Sequence, residues 1–324
     1  MKLFPTIDNP IPAGAEVIAV RTRDGVTLRA TAWRAGEPAR GTVLLLQGRA
    51  EFIEKYFEVV GELRARGYDV VTFDWRGQGG SDRSLPIASR GHVRHFADFR
   101  HDYEAVWDEL VATRARGPVT ALAHSMGGCI ALTGAAEGWV EVDRLVAAAP
   151  MLGLSVIGWP RAAQALARSL ARLGLRRSYV PGGRDLSISR LPFAGNRLST
   201  DEARYARNAA VAEALGSGAI GSPTIGWLVA AYDAMAVFDR DGSVEAIAAP
   251  TLIVGAGDDP VCSTPAIERF AKRLRNGRCL VLPGARHEIM METDAIRHAF
   301  WEAFDAFVEQ PAGPLPVPRP VLTG

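Results

Sequence analysis

The chain has 324 residues, 48% of them hydrophobic, with 37 Lys and Arg against 36 Asp and Glu and a formal net charge of +1. That composition fits a globular protein with a sizeable core. It excludes a nucleic-acid partner that depends on a strong basic excess, and no uncharged apolar run is long enough to span a membrane. Residues 1–12 lack the apolar stretch of a secretory signal. Cys129, Cys262 and Cys279 have no metal-ligand spacing and form no even disulfide set, so cytoplasmic residence is expected.

In chain order, residues 16–21 and 27–33 alternate like the arms of a hairpin turning at Asp24-Gly25. A strand over 42–46 runs into Gln47-Gly48-Arg49-Ala50-Glu51. A helix over 54–66 leads to a strand over 68–74, and a helix over 99–114 leads to a strand over 119–122. A helix over 129–137 precedes a strand over 142–148. Strands recur at 251–254 and 279–282. This alternation predicts an α/β fold, a mostly parallel sheet with helices on both faces and ligands bound at the carboxyl ends of its strands.

Between the first and last of these strands lies Ala123-His124-Ser125-Met126-Gly127-Gly128, joining a strand directly to a helix. Such a turn forces the serine into a strained conformation and pushes its oxygen out of the sheet. Small neighbours are required where strand and helix nearly touch, and Ala123 stands where glycine is usual. A serine hydroxyl needs a base. In this topology an acid and then a histidine follow in the sequence. Asp258-Asp259 lies in the loop after strand 251–254, and His287 lies just past strand 279–282. Each group alone has an ordinary reading as turn chemistry or surface. Together, in order and at strand ends, they predict nucleophilic catalysis by Ser125 with His287 as base. The developing oxyanion needs preorganised donors. The backbone N–H of Met126, after the nucleophile, and that of Arg49, in the loop after strand 42–46, are the candidates.

The alternation breaks between residues 151 and 245, which predicts an inserted helical cap. The core is then 1–150 and 246–310. Leu166, Leu170 and Leu173 fall on one helical face and Arg168, Arg172 and Arg176 on another, and ten arginines stand against three acids between Arg161 and Arg207. A cap helix needs a polar outer face, which is the preferred reading. A basic amphipathic element resting on an anionic lipid surface is the alternative. The apolar stretches 151–159 and 219–237 carry Trp159, Trp227 and Leu228, which are expected to line a tunnel for an acyl chain. Residues 311–324 are proline-rich and aperiodic and are expected to be disordered. Arg76 and Asp82 are expected to brace a glycine-rich loop, His124 to pack or to support the site, and His92, His95 and His101 to be surface residues rather than metal ligands.

The chain resembles the α/β-hydrolase superfamily over most of its length, and within it the monoacylglycerol lipase and bacterial lysophospholipase group. The likeness rests on Gln47-Gly48-Arg49-Ala50-Glu51, on residues 74–81 (Asp-Trp-Arg-Gly-Gln-Gly-Gly-Ser), on residues 123–128, and on Gly284-Ala285-Arg286-His287-Glu288. It implies Ser125 as nucleophile, His287 as base, and Asp259, by register before Pro260-Val261, rather than Asp258 as the acid. It implies backbone donors at Arg49 and Met126. Gln47 and Ala123 replace the usual His and Gly of monoacylglycerol lipases and point to the lysophospholipase-like branch. The expected function is a serine ester hydrolase of monoacyl lipids, with no metal or organic cofactor. The alternatives are hydrolysis of small non-lipid esters or thioesters, and a non-catalytic binding protein of the same fold. Oligomeric state is not legible.

Overall fold

The computed structural model describes residues 1–155 and 158–310. The proline-rich stretch 311–324 lies outside the described residues, as do Val156 and Ile157 of the apolar stretch 151–159. Strands β1 (Glu16–Arg21), β2 (Thr27–Trp33) and β3 (Gly41–Leu46) are followed by helix α1 (Phe57–Ala65), β4 (Tyr68–Phe73), α2 (Asp98–Val106), β5 (Val119–His124), α3 (Ser125–Glu137) and β6 (Arg144–Ala148). Then come α4 (Pro160–Arg172), α5 (Glu202–Leu215), α6 (Ile225–Met235), β7 (Thr251–Ala256), α7 (Thr264–Ala271), β8 (Gly277–Leu282) and α8 (Asp294–Val308).

The strands form one eight-stranded sheet in the order β1-β2-β4-β3-β5-β6-β7-β8. The β1–β2 and β2–β4 pairs are antiparallel, and every pair from β4–β3 onward is parallel. Strands β3 to β6 are buried along their whole length, as near-continuous apolar runs between two helical layers must be. Alternate residues serve opposite faces. Leu44, Leu46, Ala121, Ala123, Leu145 and Ala147 pack with α2 and α3. Val43, Leu45, Leu122, Val146 and Ala148 pack with α1 and α8. Because β3, β5, β7 and β8 run parallel, their carboxyl ends and following loops gather on one rim.

Two helices differ from their sequence reading. The segment expected as a helix over 54–66 opens with a 3₁₀ turn at Ile53–Tyr56, because its first turn is held from outside. Asp74 Oδ1 accepts the Ile53 N–H at 3.0 Å, and the Glu54 carboxylate takes two bonds from the buried Arg29 guanidinium, at 2.6 and 2.8 Å. The segment expected as a helix over 99–114 loses its α-helical turns after α2. A wider π-type turn over Trp107–Val111, closed by Ala112 N–H on Trp107 O at 2.8 Å, buries both Leu110 and Val111.

Between β6 and β7 the named elements are all helical. Helix α4 packs on α6, with Leu170 half-buried against Ile225 and Val229. Leu166 and Leu173, expected on the same helical face as Leu170, are both exposed, and Leu166 also borders the cavity that Leu170 lines. The α4 side chains packed with α6 are Ala167, Leu170 and Ala171.

Candidate active site

Strand β5 ends at His124 and helix α3 begins at Ser125 with no loop between them. Ser125 has a φ of 50°, a left-handed conformation that costs a non-glycine residue about 1–2 kcal/mol. The strain is held by packing that admits no larger neighbours. A Cβ on Gly127 would stand 2.5 Å from the backbone oxygens of both Leu46 and Gln47, and one on Gly128 would stand 2.9 Å from Pro150 Cβ. Ala123 is fully buried in β5, in register with Leu46 and Ala147, and its methyl packs on the face covered by α2 and α3.

Ser125 Oγ lies 2.9 Å from His287 Nε2, and His287 Nδ1 lies 2.9 Å from Asp259 Oδ2. The other carboxylate oxygen of Asp259 accepts the backbone N–H groups of Val261 (2.8 Å) and Cys262 (2.9 Å). Burial pushes the Asp259 carboxyl up. The neighbouring His287 and these two amides more than offset it, so the group sits below its ordinary value and is ionised. A carboxylate only accepts, so His287 Nδ1 carries the proton and Nε2 is free to accept the Ser125 hydroxyl. Asp258 is exposed, and its backbone N–H bonds Ala285 O. Of the two adjacent aspartates, Asp259 faces the histidine.

A donor atom of Cys262 lies with those of Asp259 and His287 inside a 4.8 Å cluster. Burial raises the Cys262 thiol well above its ordinary value, and the Asp259 and His287 atoms are spent on each other, so the trio is poorly suited to a metal ion.

The loop after β3 is held by residues 75–78. Trp75 Nε1 donates to Gln47 O at 2.9 Å. Gln78 Nε2 donates to Gly48 O (2.8 Å) and Glu51 O (3.1 Å), and its Oε1 accepts the Ala50 N–H at 3.2 Å. Ala50 adopts a φ of 61°. Among the described residues the backbone N–H of Arg49 has no protein acceptor. Met126 lies in the first turn of α3, where backbone N–H groups lack helical partners. Arg76 bonds Asp102 and Asp24, and Asp82 accepts the Thr27 N–H, so both brace this region.

Beneath the site lies a buried charge cluster that sequence reasoning did not assemble. Glu51 accepts from the Gly48 N–H, from Tyr56 Oη (2.6 Å) and from Lys55 Nζ (2.7 Å). Lys55 also reaches Glu288 at 2.5 Å. His124 Nδ1 faces the Glu51 carboxylate at 3.1 Å, and its Nε2 faces the His287 carbonyl at 3.1 Å. Both ring nitrogens therefore face acceptors, a pattern only the imidazolium satisfies. Burial works against that charge, and Glu51 more than compensates, so the His124 pKa is raised. With His124 charged, two cations balance two carboxylates. The cluster ties the Gly48 amide to the backbone of His287. Its signals in the sequence were the Glu51/Lys55 spacing of four and an acid directly after the histidine.

Ser125 and His287 open into a cavity of about 930 Å³ between core and cap. Its wall includes Met151, Leu154, Leu170, Ile225, Leu228 and Val261. Trp227 lines it as well, set at the start of α6 by its N–H bond to the capping Thr224 hydroxyl at 3.1 Å. Trp159 does not join the wall. It precedes α4 and is 82% exposed, whereas the α4 residues that pack with α6, Ala167, Leu170 and Ala171, lie farther along the helix. His92 bonds Thr224 at 2.8 Å and links core to cap, whereas His95 is exposed and His101 accepts from Arg23.

A serine at a strand–helix elbow, relayed through histidine to aspartate above a parallel sheet, defines an α/β-hydrolase. Comparisons with known proteins agree. The serine aminopeptidase S33 family matches residues 37–294, and the chain belongs to that family. It is 33% identical over 300 residues to lysophospholipase L2 of Escherichia coli strain K12, covering 87% of this chain and 85% of that protein. It is 28% identical over 274 residues to the monoglyceride lipase of Saccharomyces cerevisiae, covering 79% and 80% of the two chains. The solved structure of a soluble variant of that yeast lipase, bound to a substrate analogue, superposes with a TM-score of 0.71 at 21% identity, over 93% of this chain and 98% of the other. The chain is a carboxylic ester hydrolase of the lysophospholipase and monoglyceride lipase group.

Proposed function

We propose that the chain hydrolyses the ester of monoacyl lipids, lysophospholipid or monoacylglycerol, through an acyl-enzyme on Ser125. Ser125 Oγ attacks the ester carbonyl as His287 Nε2 takes its proton. Asp259 holds the Nδ1–H tautomer and stabilises the imidazolium. The Arg49 and Met126 amides receive the oxyanion. His287 then protonates the leaving glycerol oxygen, and water, activated the same way, releases the fatty acid.

The observation that carries this reading is the hydrogen-bonded Ser125–His287–Asp259 relay opening into an apolar cavity. Trp227 and Leu228 would contact the acyl chain. An aminopeptidase would need a free carboxylate for the substrate amine, but the carboxylates on this wall, Glu51 and Glu288, are engaged with Lys55. A chain-length series of p-nitrophenyl esters is the test: kcat/KM should rise from acetate to medium and long acyl chains. A preference for acetate would instead favour small, non-lipid esters.

No described helix is long and apolar enough to cross a membrane. Trp159, Leu173 and Leu175 are nonetheless exposed, in the same stretch as the exposed Arg161, Arg172 and Arg177. Exposed apolar side chains among cations fit peripheral contact with an anionic lipid surface. Co-sedimentation with phosphatidylglycerol vesicles but not with phosphatidylcholine vesicles is the expected result, and equal recovery from both would count against it.

A further inference from the structure

Arg49 carries a cation that the fold does not neutralise. Its side chain runs from the loop after β3 towards the cap and lines the cavity that holds Ser125. Among the described residues no carboxylate lies within ion-pair distance of it. Its protein contacts are one bond from Nη2 to Gly221 O at 2.7 Å and the face of Trp227, 5.1 Å from the guanidinium carbon. Nε is buried without an acceptor. A guanidinium offers five N–H donors in a planar fork, so most of this one is unused. Burial pushes its pKa down to about 10, leaving it charged at neutral pH. Two further arginines that line the cavity, Arg184 and Arg197, are exposed and unpaired among the described residues. The acids on the same wall, Glu51 and Glu288, already share Lys55. The cavity that holds the nucleophile is therefore apolar with an excess of positive charge on its wall.

We propose that Arg49 is a specificity-determining residue, whose free guanidinium donors take the phosphodiester oxygens of a monoacyl glycerophospholipid and favour it over neutral monoacylglycerol. The inference rests on the monoacyl-lipid reading of the same site. A planar fork suits two phosphate oxygens at once, whereas a glycerol hydroxyl gains little from it.

The test compares kcat/KM for palmitoyl lysophosphatidylcholine and monopalmitoylglycerol, both below their micellar concentrations, in wild type, Arg49→Met and Arg49→Lys. The backbone amide persists in each variant, and any loss common to both substrates cancels in the ratio. The wild-type ratio should favour the phospholipid. Arg49→Met should lower that ratio about thirtyfold, equivalent to about 2 kcal/mol, and Arg49→Lys, which keeps the charge but not the fork, should restore only part of it. An unchanged ratio with both rates reduced would make Arg49 a tether between core and cap and overturn the proposal alone. Cleavage of short esters with neither lipid turned over would overturn the lipid reading and this proposal together.

Discussion

Gly127→Ala tests whether the elbow and the oxyanion loop are one rigid unit. Helix propensity alone predicts a gain, since Gly to Ala inside a helix is worth up to about 1 kcal/mol. The structure predicts the opposite. The new Cβ would meet two backbone oxygens at 2.5 Å, while ordinary contact begins at 3.4 Å. Roughly 0.9 Å of displacement is therefore required. Neither oxygen can swing away as a side chain would, because Leu46 is the last residue of β3 and Gln47 O also accepts Trp75 Nε1. Overpacking of this kind costs about 1–3 kcal/mol, so after the propensity gain net destabilisation of about 1 kcal/mol is expected. The same push moves the loop carrying the Arg49 amide. A shift near 1 Å at a catalytic group costs about a hundredfold in rate. Urea unfolding gives the first quantity and p-nitrophenyl butyrate kinetics the second. A variant at least as stable and as active as wild type would refute the steric coupling.

Asp259→Asn should lower kcat by about 10⁴, because an amide no longer fixes the Nδ1–H tautomer. Asp258→Asn should stay within about threefold, since that residue is exposed, and parallel ester kinetics decide between them. His124→Gln probes the buried cluster through pH. The folded pKa of His124 is raised above its ordinary 6.5, so the imidazolium stabilises fully below pH 6.5 and less as pH rises through the folded value. The gap in Tm between wild type and variant should be widest below pH 6.5 and narrow on the alkaline side; a constant gap would contradict a charged His124. Gln78→Leu removes three bonds to the oxyanion loop and should cut kcat about tenfold to a hundredfold with a smaller change in KM.

Much of the fold was legible because each strand of the parallel sheet is an apolar run bounded by turn residues, and because helices separate them. The hairpin 16–21 and 27–33 matches the observed strands. The geometry also brings Ser125, His287 and Asp259 together from three strand ends, as their order implied. Local patterning could not foresee what long-range contacts decide. The 3₁₀ opening before α1 depends on Asp74 and Arg29, which approach from elsewhere in the chain. Trp159 and Trp227 both sit in apolar stretches, yet Trp227 lines the cavity and Trp159 stands in solvent, a difference set by tertiary packing that composition does not encode. The His124–Glu51–Lys55–Glu288 cluster joins segments more than two hundred residues apart, so the local Glu51/Lys55 spacing could not reveal its other members.

Labelling of the folded protein with a fluorophosphonate, read by intact mass and peptide mapping, tests the central claim most directly. A single adduct on Ser125 is expected, formed slowly in His287→Gln and not at all in Ser125→Ala. An unmodified protein, or an adduct on another residue, would contradict it.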